Sequence, residues 1–159
     1  MKRYYLKKDD IFSHFLIFKN EPTVKNLMKL LRFYECFKIN INQIIIDSLS
    51  ILHIKQTKET MEIIIEKGGD PNNKNEMGIT PVMIQYGYLV IKYLYDNGAD
   101  IYNIESHYGM NIIFWQKDPE AMEFLLTKGI TIHIYNDFSI TKQYLQNELI
   151  LNAKMSVFY

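Results

Sequence analysis

Three stretches of the chain share one pattern of apolar and charged positions. Met61, Ile63, Ile64 and Ile65 precede Gly68; Ile91, Tyr93, Leu94 and Tyr95 precede Gly98; and Met122, Phe124, Leu125 and Leu126 precede Gly129 at the same offsets. The residue after the first apolar one is charged in each copy: Glu62, Lys92 and Glu123. Apolar residues at i, i+3 and i+4 with a charge at i+1 give one buried and one wet face of a helix. Each stretch is therefore predicted as an amphipathic helix. The glycine that follows suits a left-handed C-cap, where a side chain would be strained.

The pattern repeats at a fixed step. Gly68, Gly98 and Gly129 are spaced by 30 and 31, and Ser50, Thr80, Asn111 and Thr141 by 30, 31 and 30. Two independent markers keep one period, which is the signature of a repeat architecture. Thr80-Pro81 reads as an N-cap followed by proline at the first helical position, and Asp118-Pro119-Glu120 offers the same device to the second helix of the next unit. Asn75, Ser106 and Asn136 fall three residues before Gly78, Gly109 and Ser139, and their side chains close turns.

Gly78-Ile79-Thr80-Pro81-Val82-Met83 and Gly98-Ala99-Asp100 carry a resemblance to the ankyrin repeat. Ser50-Ile51-Leu52-His53-Ile54 and Asn111-Ile112-Ile113-Phe114 are weaker copies of the helix start. The resemblance implies an all-α fold, an ankyrin-type solenoid of stacked helix-turn-helix repeats with degenerate terminal caps. The period falls short of the usual repeat of about 33. Marker to following glycine is 18 residues in every copy, so the first helix is expected to be clipped by most of a turn. Lys55, Gln85 and Trp115 stand where the family places a small residue.

The chain is read as one domain, 1–159, with a cap near 9–37, units at 38–67, 68–97 and 98–128, and a partial unit at 129–159. Ile11 to Phe18 is apolar on nearly all sides and is expected as a buried helix. Thr23 to Tyr34 is expected as a helix with Val24, Leu27, Met28 and Leu31 on its core face. The Ile-rich run from Cys36 to Asp47 fits either a strand-like connection or an early helical turn, and a linker with a helix starting near 43–48 is favoured. Residues 142–151 read as a further helix, and the end of the chain as a cap.

Composition narrows the function. A formal net charge of zero and a pI near 6.9 argue against a general nucleic-acid or membrane-surface binder. A single cysteine, Cys36, excludes a disulfide framework and fits a reducing intracellular setting, in the cytoplasm or nucleus, or in the host cell if the source is a virus. Met1 to Asp10 is charged and no apolar run of the needed length follows, so no signal peptide is read. The bias toward Ile, Lys, Asn and Tyr fits the AT-rich genome of a large DNA virus, a parasite or a low-GC bacterium.

Catalytic chemistry finds no support. His14, His53, His107 and His133 do not stand at metal-ligand spacing with a cysteine or another histidine. Cys36 has no histidine placed beside it and is expected as a small buried or half-buried thiol. Phosphate-loop and nucleophile-elbow patterns are absent from the sequence. No enzyme activity, cofactor or metal is expected.

The resemblance implies a non-catalytic module that binds a protein partner through loop tips and the concave first-helix surface. Carried onto this chain, the tips are 73–77, 102–108 and 133–137. The candidate contact residues are Asn73, Lys74, Glu76, Met77, Tyr102, Glu105, His107, Tyr108, His133 and Tyr135, with Trp115 as an aromatic anchor on the first-helix surface. The middle tip is one residue longer than the one before, since Gly98 to Gly109 is 11 and Gly68 to Gly78 is 10. Small size and composition extend the reading to a viral or parasite modulator of host signalling. The F-box-like segment of many poxviral relatives is not apparent in 142–159. The second reading is a structural or assembly protein that self-associates, or stacks on another domain, through its clipped C-terminal unit.

Overall fold

Residues 8–43, 49–103 and 111–130 are described by the structure, a computed structural model. Over these residues the chain is all-α. Its helices are α1 (Lys8–Asn20), α2 (Val24–Cys36), α3 (Lys58–Glu66), α4 (Pro81–Ile84), α5 (Tyr88–Asp96) and α6 (Pro119–Thr127). Single 3₁₀ turns occupy Ile51–His53 and Ile112–Trp115. No β-strand occurs among the described residues.

These elements form two rows. The long helices touch in the order α2, α3, α5, α6, with α1 packed on α2. The short elements touch in the order Ile51–His53, α4, Ile112–Trp115. Each short element is one turn long, which is where the residues missing from the period have gone. A pair this small cannot offset its own chain entropy, so burial has to come from its neighbours.

The shared seam is visible position by position. Ile64, Leu94 and Leu125 sit at the same point of α3, α5 and α6, and all are fully buried. Thr60, Val90 and Ala121 are buried one turn earlier. Met61 and Ile91 are buried as the periodicity requires, whereas Met122 is only half-buried. In α6 the buried places go to Ala121 and Leu125, which share a face at i, i+4; Met122 is rotated to its margin.

The punctuation is largely as expected. Gly68, Gly98 and Gly129 follow their helices at φ of 88°, 86° and 78°, a region that disfavours a side chain. Asn75 closes its turn by accepting from the backbone N–H groups of Met77 at 3.0 Å and Ile79 at 2.9 Å. Asp118 caps α6. Thr80 has the extended backbone of an N-cap and is followed by Pro81, but its buried hydroxyl makes no hydrogen bond.

The first pair departs from expectation. Helix α1 is not buried on all sides: Ile11, Phe15 and Phe18 face the core, while Phe12 and Ile17 are about half exposed. In α2 the buried arc runs through Leu27, Leu30, Leu31 and Tyr34, and Met28 faces outward. Cys36 is exposed, because the last turn of α2 carries it to the side away from that arc. The chain leaves α2 through turns up to Gln43, and the expected helix start at 44–48 lies outside the described residues.

Candidate functional site

The turns that join one unit to the next are held by a side-chain ladder. Asn42 donates from its amide to the Gly68 carbonyl at 2.8 Å and accepts from the Asp70 N–H at 2.7 Å. One unit on, Asn72 donates to the Gly98 carbonyl at 2.8 Å and accepts from the Asp100 N–H at 2.7 Å. Within each turn a second bond fixes the rung. Asn40, Asp70 and Asp100 accept from the backbone N–H of Asn42, Asn72 and Tyr102 at 2.9, 2.8 and 2.9 Å. At the third rung Tyr102 replaces the asparagine, and its hydroxyl donates to the Lys128 carbonyl at 2.8 Å.

This ladder sits at the base of the loop tips. Of the expected contact residues, Asn73 is half-buried and donates to the Asn42 carbonyl at 3.0 Å, so it serves the scaffold. Lys74, Glu76 and Met77 are exposed beyond it. Tyr102 is 59% exposed, with only its hydroxyl engaged. Trp115 is half-buried against the core, and its buried indole N–H makes no hydrogen bond. Glu105, His107 and Tyr108 of the middle tip lie outside the described residues, as do His133, Tyr135 and the C-terminal unit.

A second ladder runs through the interior. Gln85 donates to the carbonyls of Leu52 and Ile54 at 3.1 and 2.7 Å and accepts from the Gln56 N–H at 3.1 Å. Gln116 donates to the Gln85 carbonyl at 3.0 Å. Both glutamines are buried. They satisfy the backbone that a one-turn helix leaves unpaired. The structure aligns Lys55 and Gln85 with Gln116, not with Trp115, because Gln116 follows the Asn111 marker at the same distance.

His53 is a buried structural group. Its Nδ1 accepts from the Ser50 N–H at 3.3 Å and lies 2.8 Å from the Ser50 hydroxyl, and its Nε2 lies 3.0 Å from the Ile79 carbonyl. That arrangement assigns the proton to Nε2 and a neutral ring. Burial lowers its pKa below the ordinary 6.5, outweighing hydrogen bonds to backbone at Ile79 and Asn73 that act the other way.

The aromatic residues divide. Tyr88 and Tyr95 pack edge-on against Phe124, each with ring centroids 5.6 Å apart, and Lys58 lies over the Tyr93 ring. These are stack contacts. Tyr86 is exposed, with the Lys55 ammonium 3.9 Å from its ring centroid.

A cleft of about 480 Å³ opens between α2 and the first turn, lined by residues including Leu31, Tyr34, Lys38, Ile41 and Gly68. Lys67 and Glu35, also in its lining, are joined by an ion pair at 2.8 Å. Burial pushes the Tyr34 hydroxyl up from its ordinary range. None of the expected contact residues lines it. Among the described residues no group of three or more His, Cys, Asp or Glu is placed to hold a metal ion. No helix among them is long and apolar enough to cross a membrane.

No protein-family model matches the chain, and no curated protein matches it.

Proposed function

We propose that the chain is an ankyrin-type stack of helix pairs and acts as a non-catalytic module that binds a protein partner through its turn tips and the adjoining short-helix surface. One observation carries the reading. The tip backbone is tied down unit to unit by Asn42 and Asn72, while Lys74, Met77 and the Tyr102 ring project from it. A fixed backbone with projecting side chains lowers the ordering cost of association. An exposed lysine, methionine and tyrosine supply one charge, one adaptable apolar group and one amphipathic ring.

The test is affinity capture from cells with the full chain and with Lys74→Ala/Met77→Ala. A specific partner is expected to be retained by the parent chain and lost by the variant, with both melting at the same temperature. Equal retention by the two would exclude the tips as the binding site.

A further inference from the structure

The repeat supplies its own internal comparison. Helices α3, α5 and α6 begin at Lys58, Tyr88 and Pro119, so Glu59, Leu89 and Glu120 are equivalent, as are Gln56, Tyr86 and Lys117. The outer units place polar or charged groups where the middle one places a leucine and a tyrosine. Leu89 is 63% exposed and Tyr86 39%. A single exposed apolar residue is ordinary. A pair of them at positions that both neighbours keep hydrophilic calls for a partner.

These residues lie where the short elements hand over to the long helices, at the edge away from the turn tips. Two rows run along the stack there. One holds the Lys55 ammonium, which donates to the Tyr86 hydroxyl at 2.8 Å, then Tyr86 itself, then Lys117. The other holds Glu59, Leu89 and Glu120. All six residues are exposed. Glu59, Glu120 and Lys117 enter no ion pair among the described residues.

The geometry points to this edge as the interface of a weak homodimer. A two-fold axis parallel to the stack lays the basic row of one copy over the acidic row of the second. Lys55 then faces Glu59 of the second copy, Lys117 faces Glu120, and Tyr86 covers Leu89. Each contact is made twice, because the interface is isologous. Rows of opposite sign at matched spacing make the surface complementary to itself, and a second copy is the occupant that this pattern selects. The patch is small and belongs to the transient class, below about 1,200 Å² of total buried surface. It goes beyond the proposed partner site, which is on the other edge.

Sedimentation equilibrium of the full chain over a wide concentration range is the test. A reversible monomer–dimer equilibrium is expected, weakening as salt screens the exposed pairs. Leu89→Glu, which installs the residue type of the flanking units, is expected to raise the dissociation constant by about tenfold or more, with no change in melting temperature. Glu59→Lys/Glu120→Lys and Lys55→Glu/Lys117→Glu are each expected to be monomeric alone and to pair when mixed. Lys74→Ala/Met77→Ala is expected to dimerise as the parent does, which separates this interface from the tip site. A parent chain that stays monomeric at the highest concentration, an unchanged dissociation constant in Leu89→Glu, or charge variants that fail to pair would each overturn the inference.

Discussion

The carboxylate of Asp118 lies 2.7 Å from the backbone nitrogen of Tyr88, 30 residues earlier in the chain. Its second oxygen accepts from the N–H of Glu120 at 3.1 Å. One side chain therefore caps its own helix, α6, and the neighbouring helix α5. Helix α5 starts from Gly87, which has no side chain to cap with and holds φ at 90°. Asp118→Ala is expected to cost about 1–2 kcal/mol, at the upper part of the range for a lost cap. Asp118→Asn, which keeps an acceptor, should cost less. Urea melts of the two variants against the parent measure this.

Loss of a large buried side chain from the seam should cost more. Leu94 is fully buried where α5 meets its neighbours. Leu94→Ala is expected to destabilise by about 2–5 kcal/mol. Urea unfolding reads the loss, and a value near zero would place Leu94 outside the core.

His53 makes stability depend on pH in a defined direction. Its folded-state pKa is below 6.5, so the unfolded chain binds its proton more readily. Its contribution is full above the unfolded value and is lost as pH falls from there toward the folded one. Thermal midpoints at pH 7.5 and 5 should differ in the parent. The difference should shrink in His53→Met, which copies the residue at the equivalent point of α4, Met83. That variant should also be less stable by about 1–2 kcal/mol at neutral pH, since Ser50 and the Ile79 carbonyl lose a partner.

The long helices and their glycine caps were legible because both depend on neighbours close in sequence. The i, i+3, i+4 pattern before Gly68, Gly98 and Gly129 needs only one helix to be read. The single-turn first elements also followed from the shortened period. What spans two units was not read. Gln85 and Gln116 look like surface residues until the carbonyls of the adjoining unit are in place. Asp118 looks like a cap for one helix. The Asn42, Asn72, Tyr102 ladder was present as a third marker at a step of 30, yet its chemistry rests on backbone groups far along the chain. Met28 and Cys36 were misplaced for a simpler reason: the buried arc of α2 is centred one residue over, on Leu27, Leu30 and Tyr34. Whether the candidate tips bind anything is not a matter that side-chain periodicity encodes. It assigned Asn73 to the contact surface, although the turn uses that side chain internally.

Asn72 offers a local test of the ladder. The Asp100 amide belongs to an exposed residue and would exchange quickly without its bond to the Asn72 side chain. In Asn72→Ala, hydrogen exchange at Asp100 should accelerate by about tenfold, consistent with losing a bond worth about 1 kcal/mol. Exchange at Asp70, held by Asn42, should be unchanged. Equal acceleration at both would show a global loss of stability instead.

Calorimetric titration of the captured partner against the parent chain, Lys74→Ala/Met77→Ala and Leu89→Glu addresses the proposed function most directly. The account predicts that the tip variant weakens binding by about tenfold or more, a difference of about 1.4 kcal/mol, while Leu89→Glu binds as the parent does and all three melt alike. Unchanged affinity in the tip variant, with the partner bound tightly by all three proteins, would contradict it.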